Sequence, residues 1–215
     1  MSVEAPVEAK ICGLSTPVTV DAAVAGGARW VGFVTYPRSP RHIDLDMLRA
    51  LGARVPKSVG RVGLFVDADD ALLDARLATG ALDMLQLHGD ESPERVVAIR
   101  QRTGKPVMKV IKVTTRADVE RGIATFAAIA DRLMFEPAGG TLPGGNAQAF
   151  DWTVLSGIVV PVPWMLAGGL TPGNVAEAVR VTGAPGVDVS SGVEASRGVK
   201  SIALIEEFLA CVAAL

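Results

Sequence analysis

What the sequence lacks narrows it first. The 215-residue chain has two cysteines, Cys12 and Cys211, near opposite ends. One stands in a strand-end context and the other inside an apolar helical pattern, so no disulfide framework is expected. With His42 and His88 as its only histidines and no Cys-x-x-Cys, the chain offers no zinc-ligand spacing. A formal net charge of −2, with no long block of like charge, removes the electrostatic footprint of a nucleic-acid or anionic-membrane binder. The most apolar stretch, LSGIVVPVPWMLAGGL, is broken by Pro161 and Pro163, so no membrane span is expected. The start, MSVEAPVE, carries two glutamates and no apolar core, which argues against a secretory signal and leaves the cytoplasm as the expected location. No Gly-x-Gly-x-x-Gly follows the first strand and Gly-x-Ser-x-Gly is missing, against dinucleotide binding and a nucleophile-elbow hydrolase.

What is there is a regular alternation. Hydrophobic residues make up 49% of the chain and charged ones 20%, a balance that suits one well-cored domain. Short apolar runs (AKIC, RWVGFV, VGRVGLFV, LDMLQL, PVMKVIKV, DRLMFE, PWMLAG, PGVDVS) alternate with longer stretches of helical spacing. Several runs are almost continuously apolar, as strands covered on both faces are. Asp44, Asp69, Ser92 and Thr171 are the expected helix caps, and Gly80, Gly104 and Gly183 the expected stops. Eight strand–helix pairs without a linker predict an α/β fold, a single (β/α)₈ TIM barrel over residues 1–215, with 1–8 as a flexible N-terminal extension. A doubly wound open sheet is the competitor, and it would not need eight units.

In such a barrel the chemistry sits where strands end. Those ends carry Cys12, the loop TYPRSPRH with Arg38, Arg41 and His42, then Gln86 and His88, Lys112, Glu136, Gly168 and Gly169, and finally Asp188, Ser190, Ser191 and Gly192. The glycine pair after strand seven exposes backbone N–H groups, and SSG after strand eight can open a short helix toward the same spot; together they can hold a phosphate. Arginine suits a carboxylate because its planar fork donates two hydrogen bonds at once. Taken singly each residue also has a plainer role: Cys12 as a small buried hydrophobe, Arg41 as a solvated surface group, His88 as a packing residue.

With KICG, GFVTYPRSPRHI, VGLFV, LQLHGDE, LPGGN…FDW, LAGGL and VDVSSGVE in order from Lys10 to the final helix, the chain resembles the phosphoribosylanthranilate isomerases of tryptophan biosynthesis. That resemblance implies a (β/α)₈ barrel that converts N-(5-phosphoribosyl)anthranilate into 1-(2-carboxyphenylamino)-1-deoxyribulose 5-phosphate. The reaction is an Amadori rearrangement, an aldose–ketose isomerisation needing neither metal nor organic cofactor. The resemblance makes Cys12 the general base and Glu136 the general acid, and places Arg41 against the anthranilate carboxylate and Asp188 beside the substrate's amino group. Gln86 and His88 complete the expected substrate-binding set; Gly168, Gly169, Ser190, Ser191 and Gly192 form the expected phosphate site. A small phosphorylated substrate is the implied partner, with a monomer or homodimer as the expected assembly. Helix N-termini near the strand end are expected to lower the pKa of Cys12 and supply thiolate.

One residue departs from the family pattern. Relatives carry aspartate where this chain has Glu136, and the extra carbon displaces the carboxyl by about 1.5 Å. The following PAGGTLPGGN segment is shorter than in relatives that share LPGGN, a change that can absorb the longer side chain. Two other readings follow: an idle phosphate-binding barrel, or an aldose–ketose isomerase of another phosphoribosyl amine.

Overall fold

The structure, a computed structural model, describes residues 6–139 and 151–215, so the LPGGN segment lies outside the described residues. Eight parallel strands pair in chain order: β1 (Glu8–Cys12), β2 (Trp30–Val34), β3 (Gly60–Phe65), β4 (Met84–Leu87), β5 (Val107–Val113), β6 (Arg132–Pro137), β7 (Trp164–Ala167) and β8 (Gly186–Val189). β8 returns to pair with β1, so the sheet closes into the barrel that the alternation predicts. Outside it lie α1 (Pro17–Ala25), α2 (Leu45–Gly52), α3 (Asp70–Leu77), α4 (Pro93–Thr103), α5 (Arg116–Phe126), α6 (Val175–Thr182) and α7 (Ile202–Ala213).

The expected eight pairs need one correction. Among the described residues β6 is followed by a 3₁₀ turn, Trp152–Leu155, where a full helix was expected. A hairpin of β9 (Glu194–Ser196) and β10 (Val199–Lys200) also stands between β8 and α7, unforeseen in the sequence.

Helix ends follow local chemistry. Asp44, Asp69 and Ser92 accept from the N–H groups of Met47, Leu72 and Arg95, each satisfying a donor that the first turn leaves free. Thr171 is not the cap of α6: Asn174 holds that position, and its Oδ1 accepts from the Thr171 N–H at 2.8 Å. Gly80, Gly104 and Gly183 all have positive φ at or just beyond helix ends.

The strand period sorts side chains into two cores. Ile11, Val31, Phe33, Leu85, Leu133, Phe135 and Val187 pack outward beneath the helices. Trp30, Val62, Met84, Met108, Met134 and Met165 fill the barrel interior. At its amino-terminal end the Trp30 ring lies near Arg29 and Arg132, and its Nε1 donates to Glu8 at 3.0 Å. Glu8 is therefore part of the barrel wall, and residues 1–5 lie outside the described residues. No helix among the described residues is long and apolar enough to cross a membrane.

Candidate active site

A cleft opens at the carboxyl ends of the strands. It gathers Cys12, Arg41, Gln86, His88, Glu136, Gly168, Gly169, Asp188, Ser190, Ser191 and Gly192 into one lining. All the residues expected at the site thus meet in one place, although they come from segments across the whole chain.

Lys10 and Cys12 are two apart on β1, so the pleat turns both into the barrel. Lys10 is fully buried, and its Nζ donates to Asp188 Oδ1 at 2.7 Å across the β1–β8 pair. Burial works against the ammonium, but Asp188 and Cys12 hold its pKa above the ordinary lysine value. For Cys12 the balance runs the other way. Burial pushes the thiol up, and Lys10 opposes that without cancelling it, while Asp188 adds to the rise. The lowering expected from helix N-termini is therefore not found; the charge that favours thiolate comes chiefly from lysine, with a lesser contribution from Lys200.

On the opposite wall, Gln86, His88 and Glu136 form a chain. Gln86 Nε2 lies 3.1 Å from His88 Nδ1, and His88 Nε2 lies 2.6 Å from Glu136 Oε1. If the amide donates to Nδ1, neutral His88 carries its proton on Nε2 and gives it to an ionised Glu136. Gln86 Oε1 is meanwhile buried without a partner. A half-turn of the amide gives Oε1 to an Nδ1–H, and Nε2 then accepts from a protonated Glu136. The network thus accommodates both states of the acid. The GDE that follows His88 is scaffolding: Glu91 accepts from the N–H groups of Asp67 and Gly89 and pairs with buried Lys109 at 2.7 Å. That brace holds the loop carrying His88.

The arginine loop divides. Arg41 is buried at the cleft, Arg38 is exposed, and His42 turns away from the cleft, where burial, with a smaller contribution from Arg76, lowers its pKa. Lys112 also stays outside, paired with Asp90 on the surface. The Arg41 guanidinium forms a fork with Glu194, Nε to Oε1 at 2.6 Å and Nη2 to Oε2 at 2.8 Å. Lys200 binds the same carboxylate at 2.8 Å and also donates to the Ser190 carbonyl and hydroxyl. Burial raises the Glu194 pKa, but Arg41 and Lys200 outweigh it and hold the carboxyl at about 2. That fork uses two of the three guanidinium nitrogens, and among the described residues Nη1 has no hydrogen-bond partner.

After β7, Gly168 and Gly169 have φ of 89° and 68°, a left-handed backbone suited to exposing N–H groups. After β8, Ser191–Val193 makes a short 3₁₀ turn. The two loops touch closely: a Cβ on Gly192 would lie 1.8 Å from the Leu170 carbonyl oxygen. Only glycine permits that approach, which brings both loops to one end of the cleft.

Sequence reasoning missed Lys10, Glu194 and Lys200. For Lys10 a signal existed, since any strand that turns Cys12 inward turns Lys10 inward too. For Glu194 and Lys200 the hairpin was unread, and with it the reach of both side chains back to Arg41.

Comparisons with known proteins bear on the family and the fold. Residues 9–210 match the family model for N-(5′-phosphoribosyl)anthranilate (PRA) isomerase. An N-(5′-phosphoribosyl)anthranilate isomerase from Rhodospirillum centenum is 53% identical over 214 residues, covering 98% of this chain and 100% of the relative. The crystal structure of phosphoribosyl anthranilate isomerase from Thermotoga maritima superposes with a TM-score of 0.87 at 33% identity, over 97% of this chain and 100% of the other. A second structure of such an isomerase, in complex with reduced 1-(o-carboxyphenylamino)-1-deoxyribulose 5-phosphate, gives a TM-score of 0.82 at 32% identity, over 97% and 100% of the two chains.

Proposed function

The chain belongs to the N-(5′-phosphoribosyl)anthranilate isomerase family and is an isomerase of that substrate, and we propose that Glu136 carries the ring-opening protonation and Cys12 the deprotonation of C2. The observation that carries this assignment is the shared cleft: a thiol and a carboxyl line the same cavity as two glycine-bearing loops and a buried arginine.

In the reaction Glu136 protonates the ribose ring oxygen while the anilino nitrogen lone pair forms the C1–N double bond and the C1–O bond breaks. The Cys12 thiolate then removes the proton from C2, and electrons flow toward the iminium to give an enaminol. Proton transfer from the C2 hydroxyl to C1 completes the aminoketose, so no atom is gained or lost overall. The phosphate is held by Gly168, Gly169, Ser190, Ser191 and Gly192, and the anthranilate carboxylate by Arg41. Asp188 faces the amino group, while Gln86 and His88 hold the Glu136 carboxyl through their hydrogen-bonded chain. His88, 2.6 Å from Oε1, fixes where the longer Glu136 side chain presents its carboxyl.

Growth rescue of a tryptophan auxotroph lacking this step tests the assignment. Rescue by the wild-type chain, lost in both Cys12→Ala and Glu136→Gln, is the expected result. Undiminished rescue by either variant would remove that residue from the mechanism.

A further inference from the structure

Lys10 is a lysine with no access to water, inside a barrel whose apolar filling is chiefly methionine, valine and tryptophan. Burying an ammonium is costly unless it is paired, and Asp188 at 2.7 Å supplies the pairing. Structure alone would be served more cheaply by two apolar residues, so the pair needs another reason.

The neighbouring strand points to one. Gly32 on β2 stands opposite Cys12, and a Cβ there would lie 2.9 Å from Cys12 Sγ and 3.0 Å from Lys10 Nζ. Both atoms crowd the same small space, which places them within about 6 Å of each other, the range where one charge governs the ionisation of another. We propose that Lys10 is the positioning residue for Cys12: its ammonium, anchored by Asp188 beneath the thiol, is the counter-charge that lets sulfur act as a thiolate. This rests on the reading of Cys12 as the base and deepens it.

The other groups facing the sulfur do less. Asp188 on β8 disfavours thiolate, and Lys200 on β10 has its charge engaged by Glu194 and Ser190. Val34 and Leu64 pack against Cys12 and contribute no charge. Lys10 is thus the cation on which ionisation at Cys12 chiefly depends. Asp188 has two parts here: toward substrate it is a binding group, and toward Lys10 it is the anchor that keeps the ammonium below the sulfur.

The test measures alkylation of Cys12 by iodoacetamide against pH, in a Cys211→Ser background so that one thiol reports. This readout needs no turnover, so a wild-type protein that makes no product would count against the functional reading and leave this measurement intact. Lys10→Met should move the alkylation midpoint up by about one pH unit or more, and slow the reaction about tenfold near neutral pH. The acid limb of kcat/KM should move the same way. Lys10→Met/Asp188→Asn, which removes both charges, should fall between wild type and the single variant, because the opposing carboxylate has gone as well. An alkylation profile of Lys10→Met that overlays wild type would overturn the proposal. Should the single variant fail to fold, the double variant decides: a midpoint at or below wild type overturns it equally.

Discussion

In the amino-terminal half of the barrel interior, Met84, Met108, Met134 and Met165 pack with Trp30 and Val62. Two residues further along the same strands stand Gln86 after Met84, Glu136 after Met134 and Ala167 after Met165, with Lys10, Cys12 and Asp188 on β1 and β8. One pleat therefore carries both storeys, and a step of two residues changes soft apolar filling into charge. The lower storey excludes water and supports the wall; the upper storey is buried as well, but every charge in it has a partner. Lys10 with Asp188 and Glu194 with Arg41 and Lys200 are the two ionic anchors. The comparison teaches that rigidity and chemistry are separated by depth in the barrel, not by segment of the chain.

That separation can be broken most sharply from the top. Cys12→Ala and Glu136→Gln are each predicted to lower kcat by about 10²- to 10⁴-fold, the usual contribution of a positioned acid or base, with thermal unfolding little changed. Steady-state kinetics beside calorimetry will show whether activity and stability part company. Met165→Ala is the inverse experiment. Removing a fully buried methionine should cost about 2–5 kcal/mol of stability in urea titrations, with kcat of the folded protein within about threefold of wild type. A collapse of kcat in that variant would mean that the storeys are mechanically coupled.

The lower storey and the barrel were legible because strand runs such as PVMKVIKV and caps such as Asp44, Asp69 and Ser92 are local signals, read within a few residues. Cys12 was legible because it stands at a strand's carboxyl end, and the glycine loops because two of them follow the last two strands in succession. The ionic anchors were not. A lysine within a strand reads as a solvent-facing group, and that habit hid the one cue against it, the pleat face that Lys10 shares with Cys12. Glu194 is 153 residues from Arg41, a separation that no local pattern spans. Spacing also could not tell Arg41 from Arg38, since both flank the same prolines; packing against Glu194 separates them. After β6 the alternation predicts a helix, and the described residues there show only the 3₁₀ turn Trp152–Leu155.

The Glu194 anchor sharpens the comparison through pH. Its carboxyl titrates at about 2 in the folded chain, against about 4.3 when unfolded. A depressed native value means stability that is fully present above the unfolded pKa and is lost as pH falls toward the folded one. Glu194→Gln should therefore be less stable than wild type near neutral pH, by on the order of 2 kcal/mol. The gap should narrow as pH falls from about 4.3 toward about 2. Urea midpoints for both proteins across that range check it; a gap independent of pH would uncouple Glu194 ionisation from folding.

The smallest expected effect is the most specific. Arg41→Lys keeps the charge beside Glu194 but loses the planar fork, so an ammonium could satisfy the protein carboxylate or the substrate carboxylate, not both in the geometry that Nε, Nη2 and Nη1 allow. Binding of the anthranilate carboxylate persists from ground state to transition state, because no bond to it changes. Losing it should therefore raise KM, by about tenfold, with kcat nearly unchanged. A matched fall in kcat would show that Arg41 acts on the reacting carbons, and would move it from the anchoring part of the upper storey into the part that does chemistry.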